Sequence, residues 1–288
     1  MKDYTGKVVC LTGAGSGLGK EIADRFGAHG ASLSLVDYCK DRIDATEKEF
    51  KEKGYDVMCF CFDATDYEKV ENWARTSFLH WGHVDFLFNN VGITSPGRMW
   101  NIPLADWRRT FEINCMSVVN GIRAFMPYFA LMTSEVHICN TSSNAGLSIN
   151  GLFAPYNATK SFVVSISESL AFQTQTYYPH IKAHVLCPGA SPTQICYGRE
   201  TPGMNNAYET DEYYQSQEYK DLDKVLKDAI AAGYPVSEAI DGFFEQFEAD
   251  YFYIRPAKHE EPLIQYKIDR ILDQQRPVPV HLRPENQK

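Results

Sequence analysis

The chain has 288 residues, of which 44% are hydrophobic and 23% are charged, and its formal net charge at pH 7 is −9. This composition is typical of a globular protein of one or two domains. The acidic balance argues against a nucleic-acid partner, because phosphate binding needs a basic face. The sequence holds no run of about 18 uncharged apolar residues, so we expect no membrane span.

The eight cysteines form no Cys-x-x-Cys pair, and most lie in or beside strand-like stretches, where a free cysteine behaves as a small apolar residue. The charged segment before the first strand does not match a secretory signal. We therefore expect reduced thiols and a cytoplasmic location. Cys59 and Cys61 alternate within a strand pattern and lack the partner spacing of a metal site, so we expect no bound metal.

Short apolar strands alternate with helical patterns through the first third of the chain. We expect strands at residues 8–11, 32–36, 57–62 and 84–88, with a helix after each of the first three. Strands joined by helices form βαβ units, so the pattern predicts an α/β fold with a parallel sheet and helices on both faces. No repeat, low-complexity tract or linker divides the chain, which favours one domain.

A glycine-rich turn, Thr-Gly-Ala-Gly-Ser-Gly-Leu-Gly at residues 12–19, follows the first strand. Its spacing departs from G-x-G-x-x-G, but its physics is similar, because glycines let the backbone approach a pyrophosphate at a helix N-terminus. The turn follows a strand, opens a helix and precedes an acid at the end of the next strand, so it predicts a dinucleotide site. The expected contacts from the turn are Gly13, Ser16, Gly17, Leu18 and Gly19.

Asp37 closes the second strand about twenty residues beyond the turn, where a carboxylate can bind the adenosine ribose hydroxyls and repel a 2′-phosphate. Ser16 and Tyr38, the places for a phosphate-pairing Arg or Lys, are not basic. NAD is therefore expected rather than NADP, although the nearby Lys40 and Arg42 leave NADP open. The alternative for Asp37 is a turn or helix-cap residue.

A helix begins near Pro155 and carries Tyr156 and Lys160 four residues apart on one face. A free tyrosine has a pKa of about 10, and a nearby positive charge favours the phenolate and lowers that pKa. Ser143 follows an apolar strand at residues 136–142, which allows a hydroxyl, a phenol and an ammonium to converge on one carbonyl oxygen. Taken alone, a Tyr–Lys pair at this spacing is more often an ordinary exposed helix face, because such pairs are common.

These features together resemble the short-chain dehydrogenase/reductase family in its single-domain branch. The matching pieces, in the family's order, are the turn at 12–19, Asp63, Asn89-Asn90-Val91-Gly92, Asn114, Ser143, Tyr156, Lys160 and Pro188-Gly189. The resemblance implies a Rossmann-type, doubly wound parallel sheet of about seven strands in one domain over residues 1–288. It also implies an enzyme that transfers a hydride between NAD(H) and a secondary alcohol or ketone.

The resemblance assigns roles to four residues. Tyr156 would exchange the proton at the substrate oxygen, and Lys160 would lower the pKa of Tyr156 and hold the nicotinamide ribose. Ser143 would hydrogen-bond the same oxygen, and Asn114 would hold a water that relays protons to Lys160. The alternative for Asn114 is a mid-helix polar residue that faces solvent.

Further cofactor contacts follow from the resemblance. Asp63 and Ala64 would contact the adenine, and Asn90 and Gly92 would line the adenosine ribose side. Two departures from the family pattern are Val91, in place of the usual Ala, and Ser191, in place of an aliphatic residue. The remaining expected contacts are Pro188, Gly189, the backbone N–H of Ser191 and the hydroxyl of Thr193.

Residues 191–219 show no clear period and by position form a substrate-covering loop at about 190–220. Its aromatic and Met residues suit a large, flat, apolar substrate, and an exposed surface loop is the alternative. The residues considered for this role are Tyr197, Met204, Tyr208, Tyr213 and Tyr214, with Phe153, Met99 and Trp100 from elsewhere. Of these, Phe153 and Tyr197 are expected to contact the substrate together with Ser143 and Tyr156.

The helical stretches at 104–132 and 161–176 would, by resemblance, pair across subunits in a homodimer or homotetramer, or else simply cover the sheet. A C-terminal extension at about 256–288 contains a charged helical segment at 264–272 and then prolines, which favour an extended, subunit-wrapping end.

Three functions are compatible with the sequence. The first is an NAD-dependent dehydrogenase or reductase for a bulky apolar secondary alcohol, with a hydroxysteroid as the first candidate. The second is a reductase of another ketone, such as a polyketide, sugar or acyl substrate. The third is a catalytically silent dinucleotide-binding redox sensor. The presence of Ser143, Tyr156, Lys160 and Asn114 argues against the third, because binding alone needs neither the serine nor the asparagine.

Overall fold

A computed structural model describes residues 2–149, 151–196, 211–256 and 261–279. It contains a seven-stranded sheet with the strand order β3-β2-β1-β4-β5-β6-β7, and every pairing is parallel. The strands are β1 Val8–Thr12, β2 Ser32–Asp37, β3 Val57–Cys61, β4 Phe86–Asn89, β5 Val136–Thr141, β6 Ile181–Leu186 and β7 Tyr253–Ile254. The predicted doubly wound α/β fold is thereby confirmed.

Helices connect successive strands. They are α1 Gly17–Ala28, α2 Lys40–Glu52, α3 Tyr67–Trp81, α4 Leu104–Phe111, α5 Ser117–Phe129, α6 Asn144–Leu147, α7 Ala154–Tyr177, α8 Gln217–Ala231, α9 Val236–Glu248 and α10 Glu261–Leu272. A π-helical turn, Glu112–Met116, joins α4 to α5, and a 3-10 turn, Glu212–Gln215, precedes α8. Within these described ranges, no helix combines the length and apolarity needed to cross a bilayer.

Apolar side chains cover both faces of the sheet, as expected for parallel strands buried on two sides. Phe26 of α1 and Phe243 of α9 pack with Phe88 on one face. Trp73 of α3 and Phe125 of α5 pack on the other face. Large aromatic residues are therefore buried on both faces of the sheet.

The strand order reverses at β1, which has β2 on one side and β4 on the other. In open α/β sheets, ligands bind at the carboxyl ends of the strands at such a reversal. The turn at residues 12–19 follows β1 at this point, so the fold places the predicted dinucleotide segment at the expected crevice.

Two sequence expectations differ from the structure. The stretch at 104–132 is interrupted by the π-helical turn, and α8 begins at Gln217 in a segment where no period was evident. The helix expected near Pro155 begins at Ala154, with the proline in its first turn. Tyr197, Met204 and Tyr208 lie outside the described residues, as does the end of the chain from residue 280.

Candidate active site

The glycine-rich turn lies between β1 and α1 and is tightly packed. Gly13 and Gly17 have φ values of +73° and +57°, a left-handed conformation that favours glycine. A Cβ added to Gly19 would lie 2.2 Å from the Gly13 carbonyl oxygen and 2.5 Å from Nδ2 of Asn90. The turn therefore needs glycine at these positions, and it leads directly into the N-terminus of α1, where an anion is favoured.

Asp37 ends β2 opposite this turn. One carboxylate oxygen accepts the Gly15 N–H at 2.9 Å, and the other accepts the Cys39 N–H at 2.9 Å. The two hydrogen bonds orient the carboxylate while leaving acceptor sites on both oxygens. Arg42 packs close by, because a Cβ on Gly15 would lie 2.8 Å from the Arg42 Cβ. Asp37 thus has a turn-stabilising role in addition to the predicted ribose contact.

The polar residues after β3 and β4 are held by neighbouring groups. Asp63 accepts hydrogen bonds from the N–H and the hydroxyl of Thr65, both at 2.9 Å. The Ala64 carbonyl accepts from Nδ2 of Asn120 at 3.1 Å. Asn90 donates to the Thr12 carbonyl at 3.2 Å, which ties the end of β4 to the turn. The contacts of these residues with the adenine and its ribose stay predictions.

Ser143, Tyr156 and Lys160 are brought together at the carboxyl end of β5. Ser143 precedes α6, and its hydroxyl accepts the Ala145 N–H at 3.1 Å and hydrogen-bonds the Tyr156 phenol. The Lys160 ammonium lies 5.6 Å from the centre of the Tyr156 ring and donates to the Thr141 carbonyl at 2.8 Å. The structure thus places all three groups at one site, and their catalytic roles stay predictions.

Burial sets the protonation of this site. Desolvation raises the pKa of Tyr156 to about 12, against a smaller lowering from the Ser143 hydrogen bond. Desolvation also lowers the pKa of Lys160 to about 8. The expected lowering of the Tyr156 pKa by Lys160 is not among the causes of this shift, and the ammonium donates to the Thr141 carbonyl instead. At neutral pH the phenol is protonated and Lys160 is charged.

Asn114 lies in the π-helical turn and is fully buried. Its Oδ1 accepts the Ile93 N–H at 2.8 Å, and its Nδ2 donates to the Ile93 carbonyl and the Thr159 hydroxyl, each at 2.9 Å. A Cβ on Gly92 would lie 3.0 Å from Nζ of Lys160 and 3.5 Å from Oδ1 of Asn114. The solvent-facing alternative is therefore wrong, and the water-relay role stays a prediction.

The segment after β6 packs against the start of α6 and against the glycine-rich turn. The Pro188 carbonyl accepts the Asn144 N–H at 3.0 Å, which fixes the Pro188-Gly189 turn beside Ser143. A Cβ on Gly17 would lie 3.1 Å from the Thr193 Cβ. The Ser191 hydroxyl is buried without a hydrogen-bond partner within the described part of the chain. Thr193 therefore packs directly on the turn, and the buried Ser191 hydroxyl is a polar group that a bound nicotinamide nucleotide fits.

Asp106 is a buried carboxylate that no sequence pattern indicated, and it anchors the described C-terminal part of the predicted substrate loop, from residue 211 onward. Asp106 of α4 is fully buried and accepts the hydroxyls of Ser95 at 2.7 Å and Tyr214 at 2.6 Å. Beside it, the Tyr213 hydroxyl donates to the Pro96 carbonyl at 3.2 Å. Tyr213 and Tyr214 thus hold the loop to the segment after β4, whereas Phe153 lies at the start of α7 and pairs with Gly97.

Replacing Tyr214 with Phe removes one donor from a buried carboxylate, a change that typically costs about 1–3 kcal/mol. We expect the KM for the ketone substrate to rise severalfold, because the 3-10 turn Glu212–Gln215 loses an anchor to α4, while the Kd for NADH stays unchanged. Steady-state kinetics and a fluorescence titration with NADH measure the two quantities. Tyr219→Phe is the matched control, because the Tyr219 hydroxyl donates within its own helix, to Asp223 at 3.2 Å. An unchanged KM in Tyr214→Phe would contradict the anchoring role.

The fold and this site define a nucleotide-dependent oxidoreductase of the doubly wound type. Residues 7–201 match the family model for short chain dehydrogenases, so the chain belongs to the short-chain dehydrogenase/reductase family. The predicted family is confirmed.

Individual relatives extend the likeness along the chain. The sequence is 31% identical to the CLA biosynthesis dehydrogenase/reductase of Lactiplantibacillus plantarum, over 94% of this chain and 95% of that protein. It is 30% identical to the 1-deoxy-11-beta-hydroxypentalenate dehydrogenase of Streptomyces exfoliatus, over 68% and 71% of the two chains. A crystal structure of a short chain dehydrogenase/reductase from Burkholderia phymatum, in complex with NAD, is similar with a TM-score of 0.90 at 28% identity, over 97% and 99% of the two chains.

Proposed function

We propose that the protein is an NAD(H)-dependent oxidoreductase that interconverts a secondary alcohol and a ketone. The observation that carries the proposal is the meeting of Ser143, Tyr156 and Lys160 at the carboxyl end of β5, in the same sheet whose first strand leads into the turn at 12–19. Family membership and the NAD complex of the Burkholderia phymatum relative support the choice of cofactor. Asp37, which would repel a 2′-phosphate, supports NAD over NADP.

When bound, the cofactor supplies or accepts a hydride at its nicotinamide ring. In ketone reduction, Tyr156 donates the phenolic proton to the carbonyl oxygen, and Ser143 donates a hydrogen bond to that oxygen. Lys160 holds a positive charge beside the phenol and favours the phenolate that forms. Asn114 fixes the backbone at Ile93, which keeps Gly92 close to Lys160. In alcohol oxidation the same groups act in reverse.

The substrate we propose is a bulky apolar ketone or secondary alcohol, and a hydroxysteroid is the first candidate. Met99 and Trp100 support an apolar entrance, because 56% and 77% of their surfaces are exposed just after Gly97, which pairs with Phe153. A polyketide, sugar or acyl ketone is the alternative. Tyr197 lies outside the described residues, so its substrate contact stays a prediction.

A panel of ketones, steroids included, tests the proposal when NADH consumption is followed beside NADPH consumption. We expect turnover of at least one apolar ketone with NADH. If NADH binds but no ketone in the panel is reduced, the catalytically silent redox sensor becomes the better account.

We also propose a homodimer or homotetramer, and the cytoplasmic location stays a prediction from the sequence. Leu104 and Phe111 of α4 and Phe172 of α7 support a homo-oligomer, because 70%, 44% and 72% of their surfaces are exposed. Light scattering measures the assembly. Truncation after Gln274 tests whether the end of the chain wraps a neighbouring subunit, and an unchanged mass would count against wrapping.

The carboxylate at Asp37 gives a prediction about cofactor choice. Replacing Asp37 with Ser removes the charge that repels a 2′-phosphate and leaves Arg42 beside the turn. We expect the ratio of the NADPH Kd to the NADH Kd to fall by at least about tenfold, which corresponds to about 1.4 kcal/mol. Fluorescence titrations with the two nucleotides measure it. Asp41→Ser, at an exposed position in the first turn of α2, is the control. An unchanged ratio would refute the role of Asp37.

The lowered pKa of Lys160 predicts the pH dependence of ketone reduction. The charged ammonium is the active form, and burial lowers its pKa to about 8 from the ordinary lysine value. The charge is therefore present below pH 8 and lost above it, whereas Tyr156, with a pKa raised to about 12, keeps its proton throughout. We expect kcat/KM for NADH-dependent reduction to be constant near pH 6–7 and to fall above about pH 8. A profile that rises between pH 7 and 10 would contradict this assignment.

A further inference from the structure

A second cluster of chemically capable side chains lies on the sheet face that carries α9, away from α7. His137 of β5 and His184 of β6 lie next to each other, and Asp250 follows α9. One ligand atom from each of the three residues lies within 4.8 Å of the other two. His184 alternates along β6 with Val185, which packs on the opposite face with Val163 of α7. The cluster is therefore separate from the site of Tyr156.

In each imidazole, the ring nitrogen that faces away from the other histidine has a hydrogen-bond acceptor; we call these the outer nitrogens. Nδ1 of His184 donates to the Tyr251 carbonyl at 2.9 Å, and Nε2 of His137 lies 3.2 Å from a Glu135 carboxylate oxygen. When both rings are neutral, these contacts place the single proton of each ring on the outside. The two inner nitrogens, Nδ1 of His137 and Nε2 of His184, then direct lone pairs at each other across 2.9 Å. Such a pair needs either one shared proton or a metal cation.

We propose that His137, His184 and Asp250 bind a divalent transition-metal cation, with Zn²⁺ as the ion of choice. Neutral imidazole and carboxylate are ligands that Zn²⁺ accepts, and carbonyl or carboxylate partners on the outer nitrogens are the usual means of orienting ligating histidines. Two nitrogens bound to a tetrahedral Zn²⁺ with Zn–N bonds of about 2.0–2.1 Å lie about 3.3 Å apart. The two inner nitrogens, which are 2.9 Å apart, therefore need to move apart only slightly to bind the ion. The Asp250 carboxylate supplies the third ligand, since one of its oxygens lies 3.9 Å from Nε2 of His184.

The backbone and the charges around the cluster fit this role. Asp250 has a φ of 59°, at a position after a helix where glycine is favoured. The exposed carboxylates of Glu135 and Asp250 lie beside the cluster and favour a cation there. The Lys182 ammonium lies 3.9 Å from Asp250, and its positive charge weakens cation binding. A bound ion would tie β5 and β6 to the turn that leads into β7.

Titration of the chelator-treated full chain with Zn²⁺ by calorimetry, and with Co²⁺ by visible absorption, tests the proposal. We expect one Zn²⁺ per chain, a Co²⁺ spectrum of low coordination number, and a higher melting temperature with Zn²⁺ present. Asp250→Asn is the informative variant, because asparagine also accepts a left-handed backbone. It should weaken Zn²⁺ binding by at least about tenfold, and Lys182→Gln should tighten it.

Two controls separate this site from other metal binding. Cys61→Ser removes the exposed thiol and should leave the Zn²⁺ affinity unchanged. Asp241→Asn, on the exposed face of α9, should also have no effect. No binding up to millimolar Zn²⁺, or equal affinity in the wild type and Asp250→Asn, would overturn the proposal and leave the histidine pair sharing a proton. None of these measurements depends on oxidoreductase activity.

Discussion

Tyr156→Phe is expected to lower kcat for NADH-dependent ketone reduction by about 10²- to 10⁴-fold, the range typical of a positioned general acid. Phenylalanine keeps the ring at the start of α7 and removes only the hydroxyl that contacts Ser143. The Kd for NADH should stay nearly unchanged, because the glycine-rich turn and Asp37 are untouched. Stopped-flow or steady-state assays give kcat, and fluorescence titration gives the Kd.

Tyr67→Phe is the matched control for this substitution. The Tyr67 hydroxyl donates to Glu71 at 3.2 Å on the exposed side of α3, so its loss should leave both kcat and the Kd unchanged. Equal losses of turnover and NADH binding in Tyr156→Phe would show that the tyrosine holds the cofactor and does not transfer the proton.

Gly19→Ala is expected to weaken NADH binding by at least about tenfold and to lower the melting temperature. The added Cβ would lie 2.2 Å from the Gly13 carbonyl oxygen, so the turn must shift, and overpacking of this kind typically costs about 1–3 kcal/mol. A shift of the turn moves the N–H groups that would meet the pyrophosphate. Fluorescence titration and thermal unfolding measure the two effects.

Gly151→Ala is the control for that variant, because a Cβ added at Gly151 would have no atom of the described residues within 4 Å. It should bind NADH like the wild type. If Gly19→Ala loses stability but keeps its NADH affinity, the turn has a structural role only, and the cofactor must bind elsewhere.

The parallel sheet and the predicted dinucleotide site can be predicted from the sequence, because the patterns that indicate them lie within short stretches of the chain. A strand, a glycine-rich turn and a helix follow one another within residues 8–28, and Asp37 follows at the end of β2. The helical spacing of Tyr156 and Lys160 likewise fixes their common face before any tertiary contact is known. For this reason the fold and the meeting of the three groups at β5 could be predicted from the sequence.

Other features depend on contacts between distant parts of the chain. Asp106 and Tyr214 are 108 residues apart, and His137 and His184 are 47 residues apart. No local pattern brings such pairs together, because their distance depends on the path of a loop and on the register of β5 against β6. The raised pKa of Tyr156 has a related cause, since the extent of its burial is a tertiary property that no local pattern indicates.

The measurement that tests the central claim most directly uses NADH deuterated at C4 of the nicotinamide, with the apolar ketones of the panel as acceptors. If the proposed site transfers a hydride, deuterium will appear on the carbinol carbon of the alcohol product in the wild type. In Tyr156→Phe that product will form at least about a hundredfold more slowly. Tight NADH binding with no deuterated alcohol from any ketone would contradict the account.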